Sequence, residues 1–218
     1  MLENTSAPAQ TRTSRSHGAG LAALRAVNLG VELETMLEQA RTTAGGSALW
    51  RARKVAELRD IFALAQISGR IVIEWFDVFT DLRMLLALRA PVPLRGPQLD
   101  APLVIGPHAR LGLTYRQEVL STPQPGYSFV QILSPAGVHH PNVSADEYQA
   151  VCLGQLPIGI PLKEILLLTY GALSMQTVNF SLDAAGVLNP AATAWWQQNT
   201  HRIPLSRDPF LISPMSTP

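Results

Sequence analysis

Four strand-like runs follow one another between residues 70 and 133, with turn residues rather than helices between them. That succession constrains the fold most, because neighbouring strands joined by turns pair antiparallel. RIVIEWFDV, just after Ser68-Gly69, is β-branched and aromatic, as strands prefer. DLRMLLALRAP sets Met84, Leu86 and Leu88 against Arg83, Leu85, Ala87 and Arg89. A loop from Pro91 to Gly106, rich in proline, separates it from ARLGLTYRQ, with Leu103 to Ile105 expected to pair briefly inside the loop. ARLGLTYRQ sets Leu111, Leu113 and Tyr115 against Arg110, Thr114 and Arg116. The fourth run, YSFVQIL, is read with Tyr127, Phe129 and Leu133 on one face. These alternations predict a sheet with one buried side.

Helical periodicity brackets the strands. Ser47 is placed to cap a helix in which Val55, Leu58, Phe62 and Ala65 make an apolar stripe, with Arg51, Arg53, Glu57 and Arg59 assigned to other faces. Pro161 starts a second helix whose stripe is Leu162, Ile165, Leu166, Thr169 and Leu173. A less regular stretch, QTVNFSLDAAGVL, leads to Asn189-Pro190, where Asn189 caps a short helix ending in Trp195-Trp196-Gln197. The expected fold is α+β, with helices packed on an antiparallel sheet. Residues 1–18 read as a disordered tail, and residues 19–42 as an accessory helix stopped by Gly45-Gly46. The expected organisation is therefore 1–46 tail plus accessory helix, 47–200 main domain and 201–218 C-terminal tail.

Composition narrows the function classes. A net charge of +1 gives no sequence-wide field for nucleic acid or an anionic membrane. No apolar run reaches the roughly 20 residues a bilayer span needs, and no signal peptide is visible. A cytoplasmic protein with no nucleic-acid or membrane partner is expected. One cysteine excludes an intrachain disulfide framework and a multi-cysteine zinc site. His139 and His140 point to opposite sides of an extended chain and make a poor metal pair.

That cysteine follows a distinctive triplet. His140-Pro141-Asn142 precedes Cys152-Leu153, after four strand signals and before an amphipathic helix. Over about residues 47–200 this order resembles the ubiquitin-conjugating enzymes. The resemblance implies a fold with an N-terminal helix, a four-stranded meander and C-terminal helices. It also implies that Cys152 carries a ubiquitin-like protein as a thioester, received from an ATP-dependent activating enzyme and passed to a lysine of a target protein. No metal or small cofactor is implied. Asn142 and Cys152 stand ten positions apart, about two more than is usual in the family, so an enlarged turn is expected at Ser144–Tyr148. Such departures resemble a divergent branch found in bacterial operons of ubiquitin-like conjugation, some serving antiviral defence.

The resemblance, together with the chemistry, implies the roles of the site residues. A thiolate is a good nucleophile, and its thioester is far more reactive toward amines than an ester. Asn142 is the candidate donor to the tetrahedral oxyanion. His140 is expected to brace the turn rather than act as a base. Asp183 is the candidate for aligning the attacking amine, with Asp146 and Glu147 of the enlarged turn as further acids. Two competing readings stand beside this one: a conjugating-fold binding module that forms no thioester, and an unrelated Cys-His hydrolase using His139, His140, His108 or His201 as base.

Overall fold

The computed structural model describes residues 33–96, 98, 101–180 and 186–211. The expected tail, the first part of the accessory helix and Asp183 lie outside the described residues. Helix α1 is described over 33–43, followed by α2 (Ala48–Ser68). Strands β1 (Ile71–Asp77) and β2 (Leu82–Leu88) follow, then β3 (Val92–Arg95), β4 (Leu103–Gly106) and β5 (Ala109–Tyr115). The two-residue β6 (Gln124–Pro125), β7 (Val130–Ser134) and the two-residue β8 (Gln155–Leu156) come next. Helices α3 (Leu162–Leu173) and α4 (Pro190–Gln198) complete the order.

The protein is α+β around an antiparallel four-stranded sheet in the order β1-β2-β5-β7. Leu82 pairs with Tyr115 and Leu88 with Ala109, so the alternating residues of β2 and β5 bury the same face. Leu82, Met84, Leu86 and Leu88 meet Leu111, Leu113 and Tyr115 there, and α2 and α3 close over them with Leu58, Ile61, Ile165, Leu166 and Leu173. Period-two and helical patterning thus agree about which side is dry.

The fourth strand departs from its expected phase. Val130 and Ile132 face the core, while Tyr127 and Leu133 are exposed. Phe129 is also buried, because it closes a 3-10 turn over Gly126–Ser128 with helical backbone angles (φ −105°, ψ −40°). A helical residue between turn and strand lets two successive side chains, Phe129 and Val130, point inward, which strict alternation forbids.

In the Pro-rich segment between β2 and β5, Leu103 to Ile105 pair as expected, and their partner is Val92–Arg95, so β3 and β4 form a hairpin within the expected loop. It lies beside the chain leading to His140: Arg95 N donates to Gly137 O at 3.3 Å and His139 N to Pro93 O at 2.8 Å. The hairpin therefore supports the approach to His-Pro-Asn.

Buried polar groups tie the helices down. Ser47 Oγ accepts from Trp50 N at 3.2 Å, capping α2 as expected. Glu57, assigned from sequence to an outer face, is buried. Its Oε2 accepts from Leu162 N at 2.7 Å, supplying to α3 the N-terminal acceptor that Pro161 lacks. Arg53 Nε lies 2.6 Å from Glu57 Oε1, and the Tyr115 hydroxyl donates to Ile160 O at 2.7 Å. Burial, then the Glu57 carboxylate, push the Tyr115 phenol up to about 12. Lys54 is fully buried, donating to Gly45 O at 3.0 Å, to Phe79 O at 3.1 Å, to Thr80 O at 3.0 Å and to Val78 O. That cage locks the α1–α2 junction onto the end of β1. Leu37, Ala40 and Ala44 are buried in the same core, so this part of the accessory segment is integral to it.

The C-terminal segment also packs down. Arg70 Nε donates to Phe210 O at 2.9 Å, the Tyr170 hydroxyl donates to Asp208 O at 3.0 Å, and the Phe210 ring is buried. No helix among the described residues is long and apolar enough to cross a membrane.

Candidate active site

The segment from His139 to Gly154 leaves the sheet and is held on three sides. Val143 and Val151 bridge across the enlarged turn, Ser144 N donates to Ala150 O at 2.9 Å, and Cys152 N donates to Asn142 O at 2.7 Å. The ten-position separation therefore folds into a narrow loop whose two ends, Asn142 and Cys152, are hydrogen-bonded neighbours. The turn falls where the spacing predicted it. Asp146 Oδ1 accepts from Ser144 Oγ at 2.7 Å and from Tyr148 N at 3.1 Å, an Asx-type arrangement. Asp146 thus serves the turn, and it does not line the thiol cleft. Neither does Glu147.

His140 is fully buried and both ring nitrogens are engaged. Its Nδ1 accepts from Asn142 N at 3.0 Å, which places the hydrogen on Nε2, 2.9 Å from Ala172 O on α3. Burial lowers its pKa from the ordinary 6.5 to about 4, the Ala172 carbonyl opposing and His139 adding to the effect. With both nitrogens engaged, the neutral imidazole ties the turn to α3 and has no nitrogen left over for a further partner. Pro141 O accepts from Leu188 N at 2.8 Å and Asn189 N at 3.0 Å, while Trp196 Nε1 donates to His139 O at 2.7 Å. Asn189 also caps α4, its side chain accepting from Ala192 N at 3.0 Å. The triplet is thus clamped between α3 and the start of α4.

Asn142 is buried with its carboxamide in use on both sides: Nδ2 donates to Gly186 O at 2.7 Å and Oδ1 accepts from Asn179 N at 3.4 Å. A carboxamide nitrogen carries two hydrogens, and the bond to Gly186 O uses one of them. Cys152 is 8% exposed and opens into a cleft of about 390 Å³. Asn142, Leu153 and Gly154 line it on the thiol side, Leu168 and Ala172 of α3 on another, and Thr177, Val178, Asn179 and Gly186 complete it. Gly154 takes φ +80° with open space where a side chain would stand, which leaves the approach clear.

Thr177 to Asn179 were not singled out from the sequence. They lie in the irregular stretch after α3, where Gln176 N and Thr177 N both return to Gly171 O at 2.9 and 3.1 Å and fold the chain back over the helix end. Met175, at φ +55°, makes that reversal, and no period in the sequence marks it.

Gly126 is the close contact behind the thiol strand. Its N donates to Gly154 O at 2.6 Å, and a Cβ there would meet Gly154 O and Leu153 N at 2.6 Å each. Gly126→Ala should lower the unfolding free energy by about 1–3 kcal/mol through overpacking against unyielding backbone. The rate of Cys152 labelling by a thiol reagent should rise with it. Urea titration together with labelling kinetics checks both.

No family model matches the chain, and neither a curated protein nor a solved structure matches it.

Proposed function

We propose that the chain is an acyl carrier of the ubiquitin-conjugating type. It accepts a ubiquitin-like protein from an activating enzyme as a thioester on Cys152 and transfers it to a lysine of a target protein. The observation that carries this reading is the 2.7 Å bond from Cys152 N to Asn142 O, which sets the triplet's carboxamide and the thiol on one cleft. The reading is supported by the element order and the antiparallel β1-β2-β5-β7 sheet that follows α2, and in it the β3–β4 hairpin would be an insertion.

In the first step the Cys152 thiolate attacks the acyl carbon, the bond to the activating enzyme's sulfur breaks, and that sulfur leaves as a thiolate. In the second, the lysine nitrogen attacks, a tetrahedral oxyanion forms, and the C–Sγ bond breaks. The amine's proton passes to solvent and the product is an isopeptide. Asn142 donates to the oxyanion, and His140 holds Asn142 through its backbone nitrogen. Metal and small cofactor have no part in these steps. A thiol that must stay reduced suits a cytoplasmic setting, and a place in a bacterial conjugation operon belongs to the same reading.

A Cys-His hydrolase would need an imidazole beside the sulfur. Among the described residues lining the cleft there is no histidine, and His140 has both nitrogens committed. The experiment that separates the readings is a chase. Protein loaded on Cys152 is mixed with free lysine, and the fates of the acyl group are counted by mass spectrometry. Transfer to lysine well above hydrolysis supports the carrier. Predominant hydrolysis, with turnover of a small ester in the absence of any partner, points to the hydrolase.

A further inference from the structure

The open face of the sheet carries aromatic side chains that local irregularities have turned outward. Ile71 pairs with Leu88 and Ile73 with Leu86, both buried, but the register shifts between Ile73 and Trp75, and Trp75 pairs with Leu85. That bulge takes Trp75 out of the inward phase and leaves it 52% exposed. The enlarged turn supplies Tyr148, 60% exposed, whose backbone N donates to Asp146 Oδ1 at 3.1 Å. Tyr127, 54% exposed, comes from the 3-10 turn before β7. A bulge and two turns thus bring a tryptophan and two tyrosines to one cleft of about 540 Å³. Gly112, paired with Leu85 and with Gln131, lines the same cleft and puts no side chain into it.

Two cations line this cleft, Arg83 and Arg116, and the described lining residues include no carboxylate. Arg116 Nη1 makes a long bond of 3.5 Å to Ser128 O. Arg83 Nη2 lies 3.4 Å from Asp81 Oδ2, in a surface pair of the kind that adds little stability and is readily exchanged. Farther along β5, Arg110 is taken by Glu74 at 2.6 Å. Two loosely held guanidiniums suit one or two carboxylates, whereas a nucleic-acid strand calls for a longer run of phosphate contacts. Tryptophan, tyrosine and arginine are also the side chains that most often anchor protein interfaces.

We propose that this cleft docks an extended segment of a partner protein in which carboxylates flank an apolar side chain. Arg83 and Arg116 pair with the carboxylates, and Trp75, Tyr127 and Tyr148 enclose the apolar residue. Docking here needs no chemistry at Cys152 and so stands apart from the acyl-carrier reading.

The test selects short random peptides, displayed on phage, against the immobilised full chain and measures the enriched ones by fluorescence anisotropy. Enriched sequences should carry aspartate or glutamate on either side of a leucine, phenylalanine or tryptophan, and their affinity should fall as salt is raised. Trp75→Ala and Arg116→Glu should each weaken the tightest of them by about tenfold or more, with urea midpoints close to the parent's. Tyr148→Ala replaces Trp75→Ala if that variant does not fold. No enrichment, enrichment without acidic residues, or acidic peptides that the variants bind as tightly as the parent would overturn the assignment. So would tighter binding of labelled oligo-dT than of any selected peptide, which would make the cleft a nucleic-acid surface, or a dimer of the chain that Arg116→Glu dissolves, which would make it a self-association surface. Because the chain is unloaded throughout, failure here leaves the carrier reading standing, and failure of thioester loading leaves this one.

Discussion

Asn142→Ala is expected to slow lysine attack on the loaded thioester by about 10²–10³, the usual effect of deleting an oxyanion donor. Because loading is completed before lysine is added, slower loading does not enter the measured rate. Two structural bonds are lost as well, to Gly186 O and from Asn179 N, so a modest drop in unfolding midpoint should accompany the rate effect. Asn142→Asp separates the two contributions. It retains the acceptor for Asn179 N and replaces the donor by a negative charge, so its rate should fall at least as far as that of the alanine variant. Single-turnover decay of the thioester, followed by mass, gives both numbers. An aspartate variant that transfers at the parent rate would leave Asn142 with a purely architectural role.

Acid should weaken the fold through His140. Its pKa in the folded protein is about 4, against an ordinary 6.5, because burial penalises the imidazolium. As pH falls below 6.5 the unfolded chain takes up a proton that the folded chain refuses. Stability is therefore full above about 6.5, is lost as pH falls toward 4, and levels off below that. At about 1.4 kcal/mol per pH unit the loss approaches about 3 kcal/mol. His139, lowered first by burial and then by Arg95, adds in the same direction. The functional consequence is local as well, since a proton on Nδ1 would face the Asn142 N–H it now accepts. Urea midpoints between pH 7.5 and 4.5 should fall steeply in the parent and less steeply in His140→Gln, which carries no titrating ring. Parallel slopes would show that His140 does not carry the effect.

Much of the scaffold is legible in the sequence because two periods coincide with burial. Leu82 to Leu88 and Leu111 to Tyr115 alternate about one dry face, and the α3 stripe from Leu162 to Leu173 is buried as spaced. Caps are legible too, since Ser47 and Asn189 act through their immediate neighbours. What local pattern cannot carry is a charged residue turned inward by distant partners. Glu57 reads as a surface acid until Leu162 N and Arg53 are beside it. The phase of β7 was missed for a related reason: one residue of helical backbone at Phe129 shifts the alternation without leaving a mark on composition. The pairing of Asn142 with Cys152 was legible as a motif, whereas Asn179 was not. Asn179 reaches the site through the chain reversal at Met175, a tertiary event.

The most direct measurement mixes the full chain with an activating enzyme, its ubiquitin-like protein and ATP, and resolves the products on a non-reducing gel. A band heavier by one modifier, abolished by thiol reductant and absent in Cys152→Ala, is the predicted result. If the activating enzyme charges with its modifier and no such band forms on this chain, the carrier account is contradicted and the binding-module reading takes its place.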